Sequence, residues 1–404
     1  MVRAALAAGV ACLGLTAAAA ALAWPARSPL VPRNGGHPGG DRAWAWWFLV
    51  LLVAAFAVYV AGIVLVRASA PRLIVVGAVA AAIQLAPLGA PLLLSTDAWT
   101  YWDYGRLAAV HGLNPYRDDP EQVRGDPAFR YVGAAWRDTT SVYGPAFTLA
   151  SEPLARAAGT SADAAAWIYK TLGAIAVLGT ALLAARLAVR PALAVVFVGW
   201  NPLLAVHFAG GGHNDGWIAA LVLGALAAGA ARRRQLAGVF WALAVLVKWL
   251  PLLLLPLRVV EARATGRRVG HAGFAAAVVI VAALATWRYG FGWLHTFGPL
   301  ARNANHETRF ALPHRLEDLG VPRVAALVLF AVGFAAAYAW LLREAHRGRA
   351  RLGLAMGAVL VATPYLAAWY TVWALPLAAA EDDEPAALVA LVLCAYLLRQ
   401  TVPL

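Results

Sequence analysis

Leu73-Ile74-Val75-Val76-Gly77-Ala78-Val79-Ala80-Ala81-Ala82-Ile83-Gln84-Leu85-Ala86-Pro87-Leu88-Gly89-Ala90-Pro91-Leu92-Leu93-Leu94 carries no charge, and it stops at Ser95-Thr96-Asp97-Ala98-Trp99-Thr100-Tyr101. A run of roughly 17–25 apolar residues crosses about 30 Å of hydrocarbon as a helix. A carboxylate and an aromatic cluster therefore stand where hydrocarbon-compatible sequence ends. About fifty residues follow before Tyr143-Gly144-Pro145, so the segment 95–145 reads as a long loop outside the membrane. It is the one place in the chain with room for chemistry.

Composition agrees with this reading. Hydrophobic residues make up 62% of the chain and charged residues 13%, and the mean hydropathy is +0.68. Soluble globular cores do not have that balance. The formal charge of +13 does not point to nucleic acid, because the arginines lie between apolar runs and form no single basic surface. Cys12 and Cys394, the two cysteines, sit inside apolar segments, which excludes a disulfide framework and a thiolate metal site.

Apolar runs at 4–24, 43–66, 73–94, 165–185, 192–209, 216–231, 272–287, 324–342, 352–377 and 386–398 predict an all-α polytopic bundle. Unpaired backbone is not tolerated in lipid, so each run is expected to be helical. About ten full spans result, in a single integral-membrane domain covering 1–404. Arg3 before the first run and small residues near 21–26 also fit a cleaved signal peptide, although the run is long for one and reads better as an anchor. Basic clusters at Arg67 and Arg72, Arg186 and Arg190, Arg232 to Arg234, and Arg343 to Arg351 belong in the cytoplasm. Alternation from there predicts that the Asp97 loop, His213-Asn214-Asp215 and the segment 302–323 share the opposite, extracytoplasmic face.

The stretch 236–257 has basic clusters at both ends. Two half-helices folding back at Lys248-Trp249-Leu250-Pro251 satisfy the positive-inside pattern, each rising roughly 18 Å at about 1.5 Å per residue. Lys248 then lies deep, where a cation usually has an anionic partner. The competing reading is a lysine snorkelling from a helix end. Residues 145–158 are too short to cross and read as an interfacial helix.

Asp97, with Ser95, Thr96 and Tyr101 beside it, suits a general base for a substrate hydroxyl. Equally, Thr96 or Asp97 could cap the helix that follows. Asp103 is off the helical face of Asp97, which weighs against paired carboxylates. His213, Asn214 and Asp215 follow three glycines onto a helix start, as a polar site or as a cap. Arg302, His306, Glu307, Arg309, His314 and Arg315 form a loop cluster suited to an anionic head group or to plain solvation. Trp369, Tyr370 and Trp373 suit a sugar face or an interfacial belt. No phosphate-binding glycine loop, HExxH site or GxSxG elbow is present. A divalent metal remains open, and the lone Asp97 leans against a required ion.

Four segments carry a resemblance. They are Asp97-Ala98-Trp99-Thr100-Tyr101 with Tyr104-Gly105-Arg106 and Gly112-Leu113-Asn114-Pro115-Tyr116; Trp136-Arg137-Asp138-Thr139 with Tyr143-Gly144-Pro145; Asn201-Pro202 with Gly212-His213-Asn214-Asp215; and Pro364 with Trp369-Tyr370. In order and spacing the chain resembles the actinobacterial polyprenol-phosphomannose-dependent α-(1→6)-mannosyltransferases of the membrane GT-C superfamily. That resemblance implies a lipid-linked sugar donor, inversion at the anomeric carbon, and a catalytic aspartate in the first large extracytoplasmic loop, matched by Asp97. Lys248 resembles the family lysine of a Leu-Val-Lys-x-x-Pro segment. Family members are usually longer toward the C-terminus.

The resulting expectation is mannosyl transfer from a polyprenyl-phosphate-linked donor to a glycan or glycolipid acceptor at a membrane. Asp97 is catalytic; Lys248, Arg309 and His314 hold the donor phosphate; Tyr101, His213, Asn214, Asp215, Trp369 and Tyr370 hold acceptor sugar. Alternatives are another lipid-linked sugar such as arabinose, a lipid or sugar translocator, and a noncatalytic partner of another membrane enzyme. The absence of a visible repeat weighs against the translocator.

Overall fold

The computed structural model describes residues 1–32, 40–298 and 307–404, and among these there is no strand. The helices are α1 (Val2–Ala21), α2 (Arg42–Arg67), α3 (Leu73–Leu85), α4 (Asp97–Ala109), α5 (Pro145–Ala158), α6 (Ala162–Leu187), α7 (Pro191–Gly199), α8 (Pro202–Ala205), α9 (Asp215–Ala230), α10 (Arg234–Val247), α11 (Leu255–Ala264), α12 (His271–Tyr289), α13 (Leu312–Asp318), α14 (Arg323–His346), α15 (Leu352–Ala362), α16 (Leu375–Glu381) and α17 (Glu384–Leu397). Side chains start several of them. Asp41 accepts from the Ala43 amide, Ser161 from Ala164 and Asp383 from Ala386, satisfying donors the helix cannot.

Among the described residues, five helices are long and apolar enough to cross a membrane: α1, α2, α6, α14, and α12 with its 3-10 extension to Thr296. A sixth is counted if α7 and the segment Pro202–Gly210, bent by 50°, act as one. By length alone the expected count of about ten is not reached, for identifiable reasons. The run 73–94 is helical only to Leu85, tightens to a 3-10 turn over Ala86–Gly89 and ends, because Pro87 and Pro91 lack amide donors. The run 352–377 is interrupted after Ala362 by Thr363-Pro364 and resumes as a 3-10 turn at Ala368–Trp373 before α16. Asn201 breaks the run 192–209 by accepting from the Leu203 and Leu204 amides, which restarts the helix at Pro202.

α6 measures the molecule. It starts beside α4, where the Trp99 indole donates to the Ala162 carbonyl at 2.9 Å. Its 26 residues rise about 39 Å. At its far end the Val189 amide donates to Asp382 at 2.7 Å. Arg351 pairs with Asp383 at 2.7 Å, and Arg67 pairs with Glu384 at the same end. Arg67 and Arg351, from two of the arginine clusters, thus meet the acidic turn 381–384, a full helix length from α4.

α10 ends at Lys248, whose backbone is extended. α10 and α12 start side by side: the Gly273 amide donates to Gln235 Oε1 at 2.8 Å, and a Cβ on Gly238 would meet the Gly270 carbonyl oxygen at 2.0 Å. The chain must therefore reverse between them, and α11 is the returning arm. Segment 95–145 is not loose. Arg106 on α4 forks onto Asp126 at 2.7 and 2.8 Å, His111 reaches the same carboxylate at 2.6 Å, and the Tyr104 hydroxyl donates to the Thr139 carbonyl at 2.7 Å. A bidentate pair of that kind fixes direction as well as distance.

α4 crosses α5 at Gly105, where a Cβ would stand 2.3 Å from the Ser151 carbonyl oxygen. Gly105→Leu is expected to destabilise by about 1–3 kcal/mol through overpacking. Gly77→Ala on α3, where nothing lies within 4 Å, should raise stability slightly. Thermal unfolding of both variants in one detergent checks the pair.

Candidate active site

Leu94 has φ +63°, a conformation costly for a side-chain-bearing residue. Its amide is tied to the Leu30 carbonyl at 2.8 Å and that of Leu93 to Gly210 at 3.0 Å. The turn that results begins α4 at Asp97. Thr96 occupies the cap position and makes no side-chain cap bond. The Asp97 carboxylate turns inward, meeting His213 Nδ1 at 3.0 Å and the Tyr101 hydroxyl at 3.3 Å. Helix capping is therefore not its role.

His213 arrives on the turn that leads into α9. Gly212, at φ +72°, lies so close to Ala98, Tyr169 and Lys170 that a Cβ would touch all three at 3.2 Å. That approach brings the loop onto α4. His213 is fully buried, with its ring stacked on Trp369 at 3.8 Å and 13°. Asn214 Oδ1 accepts from the Tyr101 hydroxyl at 3.4 Å. Asp215, the first residue of α9, accepts from Lys248 Nζ at 2.7 Å and from the Trp373 indole at 2.9 Å. Lys248 Nζ also lies 4.8 Å above the Tyr370 ring and 5.1 Å above that of Trp373, a cation–π arrangement. Tyr370 and Trp373 stack at 3.9 Å.

One turn thus holds two opposite charges that face open space. The Asp97 side chain keeps 18% of its surface exposed and that of Lys248 keeps 16%, while His213 and Asp215 behind them keep 0% and 1%. Burial pushes the Asp97 carboxyl up, but the His213 hydrogen bond and charge, the Ser95 hydroxyl and the charge of Lys248 outweigh it and hold the group below the ordinary aspartate range. Asp97 is therefore ionised at neutral pH. Asp103 belongs to a different environment. Burial and Asp126, opposed by Arg106, push it up to about 7.

The structure brings Asp97, Tyr101, His213, Asn214, Asp215, Lys248, Trp369 and Tyr370 into one cluster. Asp215, expected against acceptor sugar, is occupied by Lys248 and Trp373. Arg309 is set apart from these contacts, on the wall of a cavity of about 280 Å³ that Trp369 also lines. His314 lies among acids, 3.4 Å from Glu307 and 3.8 Å from Asp318, surroundings that disfavour a phosphate. Arg302 and His306 fall outside the described residues. Among the described residues, the grouping able to hold a metal ion is Glu307, His314 and Glu317, whose donor atoms lie within 4.8 Å of one another. The sequence reading offered Trp373 a sugar face or an interfacial belt and did not pair it with Asp215, and it gave Tyr143 no place in the site. Tyr143, from the Tyr143-Gly144-Pro145 turn, braces Tyr101 edge-on at 5.2 Å.

Comparison with known proteins places the chain in a family. It matches the family described as "Alpha-(1->6)-mannopyranosyltransferase, N-terminal domain" over residues 4–264 and "MptB C-terminal domain" over residues 304–403. The chain belongs to this mannosyltransferase family. Its relatives include a protein named "Probable alpha-(1->6)-mannopyranosyltransferase" from Mycolicibacterium smegmatis, 28% identical over 358 residues, which cover 72% of this chain and 62% of that one. Another is an alpha-(1->6)-mannopyranosyltransferase of Mycobacterium tuberculosis, 26% identical over 392 residues, or 75% of this chain and 65% of that one. The chain thus spans less than two thirds of the length of these curated relatives. No solved structure matches it.

Lys248→Met leaves the Asp215 carboxylate buried with only the Trp373 indole and is expected to cost about 3–5 kcal/mol. Adding Asp215→Asn should recover much of that loss. Unfolding midpoints of the two single variants and the double variant give the coupling between the residues.

Proposed function

We propose that the chain transfers a mannosyl residue from a polyprenyl-phosphate-linked donor to a hydroxyl of a glycan or glycolipid acceptor, with inversion and with Asp97 as base. The observation that carries this is the juxtaposition of a semi-exposed carboxylate pinned by His213 and a semi-exposed ammonium pinned by Asp215. An inverting displacement needs such a pair. The acceptor oxygen bonds to the anomeric carbon on one side while the bond to the phosphate oxygen breaks on the other. The proton of the acceptor passes to Asp97, and the electron pair of the broken bond goes to the phosphate, whose charge Lys248 stabilises.

A carboxylate held below its ordinary pKa is a weak base toward a free alcohol. It suits a late proton transfer, because the attacking hydroxyl becomes strongly acidic once it shares electrons with an oxocarbenium-like centre. A departing phosphate is already a stable anion, so no second carboxyl is required as acid. His213 sets the direction of the Asp97 carboxylate, and Tyr101, Asn214, Trp369 and Tyr370 shape the sugar-facing surface around it.

In this reading the protein is a multi-pass membrane protein. The short helices α3, α9, α15 and α17 join the long ones as spans, α10 and α11 form a re-entrant pair, and segment 95–145 is the catalytic loop. The site opens on the extracytoplasmic face. The presence of Arg67 and Arg351 at the far end of α6 supports that orientation.

Purified chain in detergent, given a short polyprenyl phosphomannose and a panel of mannosides, should form product. Asp97→Asn should lower turnover by about 10²–10⁴-fold with the fold intact; undiminished turnover in that variant removes Asp97 from the role of base. In the pH profile of the native chain, activity should fall only as the medium becomes acidic enough to protonate a depressed aspartate. His213→Ala removes the main opposition to burial, so its acid limb should move to higher pH.

A further inference from the structure

Beside the ion pairs lies a cavity whose walls come from three distant parts of the chain. Thr308 and Arg309 precede α13, Tyr365 and Trp369 belong to the break between α15 and α16, and Gln400 and Thr401 follow α17. Thr308 joins two of these parts: its amide donates to the Pro364 carbonyl at 3.1 Å, its hydroxyl donates to the Leu366 carbonyl at 2.8 Å, and the Leu366 amide stands 3.1 Å from the same hydroxyl. The third is joined by the Gln400 amide nitrogen, which donates to the Leu366 carbonyl, and by Thr401, 3.4 Å from His207 Nε2. The volume of about 280 Å³ is near the lower end of small-molecule sites, about 300 Å³.

The Trp369 ring on its wall ties this cavity to the base. The Trp369 ring that lines it stacks on His213, which in turn holds Asp97. Lys248 lies instead over Tyr370 and Trp373. In an inverting displacement the incoming hydroxyl and the outgoing phosphate must lie on opposite sides of the reacting carbon, so space on the Trp369 side belongs to the acceptor. Tyr365 connects cavity and site, its ring 6.3 Å from that of Tyr370. The lining chemistry agrees. Beside the Arg309 guanidinium, an indole, a phenol, a carboxamide and hydroxyls offer an aromatic surface with donors and acceptors suited to a polyol.

We infer that this cavity is the acceptor subsite, that it takes one neutral hexose unit of the acceptor glycan, and that Gln400 and Thr401 are specificity-determining residues there. The inference rests on Asp97 acting as the base. Arg309 on the wall then serves the acceptor and not the donor phosphate.

The test uses the full chain in detergent and reads binding without turnover. Methyl α-mannoside and decaprenyl phosphate are titrated separately, by saturation-transfer NMR and tryptophan fluorescence, into the native chain, Gln400→Ala and the near-isosteric Thr401→Val. Loss of one hydrogen bond should weaken the mannoside by roughly fivefold to tenfold in each variant, with decaprenyl phosphate unchanged. Mannoside affinity unmoved in both folded variants, or decaprenyl phosphate weakened in its place, overturns the subsite, as does a native chain that binds no mannoside. Failure of Asp97 as base would show separately, as undiminished turnover of Asp97→Asn alongside intact mannoside binding.

Discussion

Everything at the site depends on the turn from Gly212 to Asp215. Within three residues it supplies the partner of an anion on α4 and the partner of a cation at the end of α10. Neither charge is tolerable alone in surroundings this apolar. Each pair therefore acts as a tie between segments far apart in the chain, and the turn between them sets the distance from carboxylate to ammonium. Glycine at 212 is part of that constraint, because its backbone conformation and its contact with Ala98, Tyr169 and Lys170 leave no place for a side chain.

The depth of the turn explains the helix lengths. Gly212 is level with Tyr169 and Lys170, about two turns into α6. Helices that run from the site to the arginine-rich end are correspondingly short: α9 has 16 residues, α10 has 14 and α15 has 11, or about 24, 21 and 16 Å. They stop where they do because the site occupies the rest of the thickness. Lys170 supports the gap left by α3, donating to the Leu88 carbonyl at 2.9 Å and also to that of Ala90. Backbone that leaves the helical ladder inside the bundle must find such donors.

Apolar runs made the helical architecture legible, and the chain break at Lys248 could be read from basic clusters on both sides of 236–257. Those signals depend on local composition. The same signals overstated helix lengths at 73–94 and 352–377, where Pro87, Pro91 and Pro364 remove backbone donors without altering hydropathy. Asp97, His213 and Lys248 stood out as polar groups beside apolar runs. Their pairing did not, because nothing in spacing distinguishes Asp215 from Asp97 as the partner of Lys248. The bond from the Trp373 indole to Asp215, across 158 positions, was hidden for the same reason. His314 was read as a phosphate ligand from a loop of mixed charge, whose spacing does not say that Glu307 and Asp318 stand next to it.

The central claim is that the anion and the cation on either side of the Gly212–Asp215 turn divide the work of one displacement. A structure of the chain with decaprenyl phosphate bound tests that division most directly. The account predicts a phosphate oxygen within about 3 Å of Lys248 Nζ, with the Asp97 carboxylate facing the position vacated by the sugar. A phosphate seated in the cavity at Arg309 and Gln400, with Lys248 still closed on Asp215 alone, would contradict it.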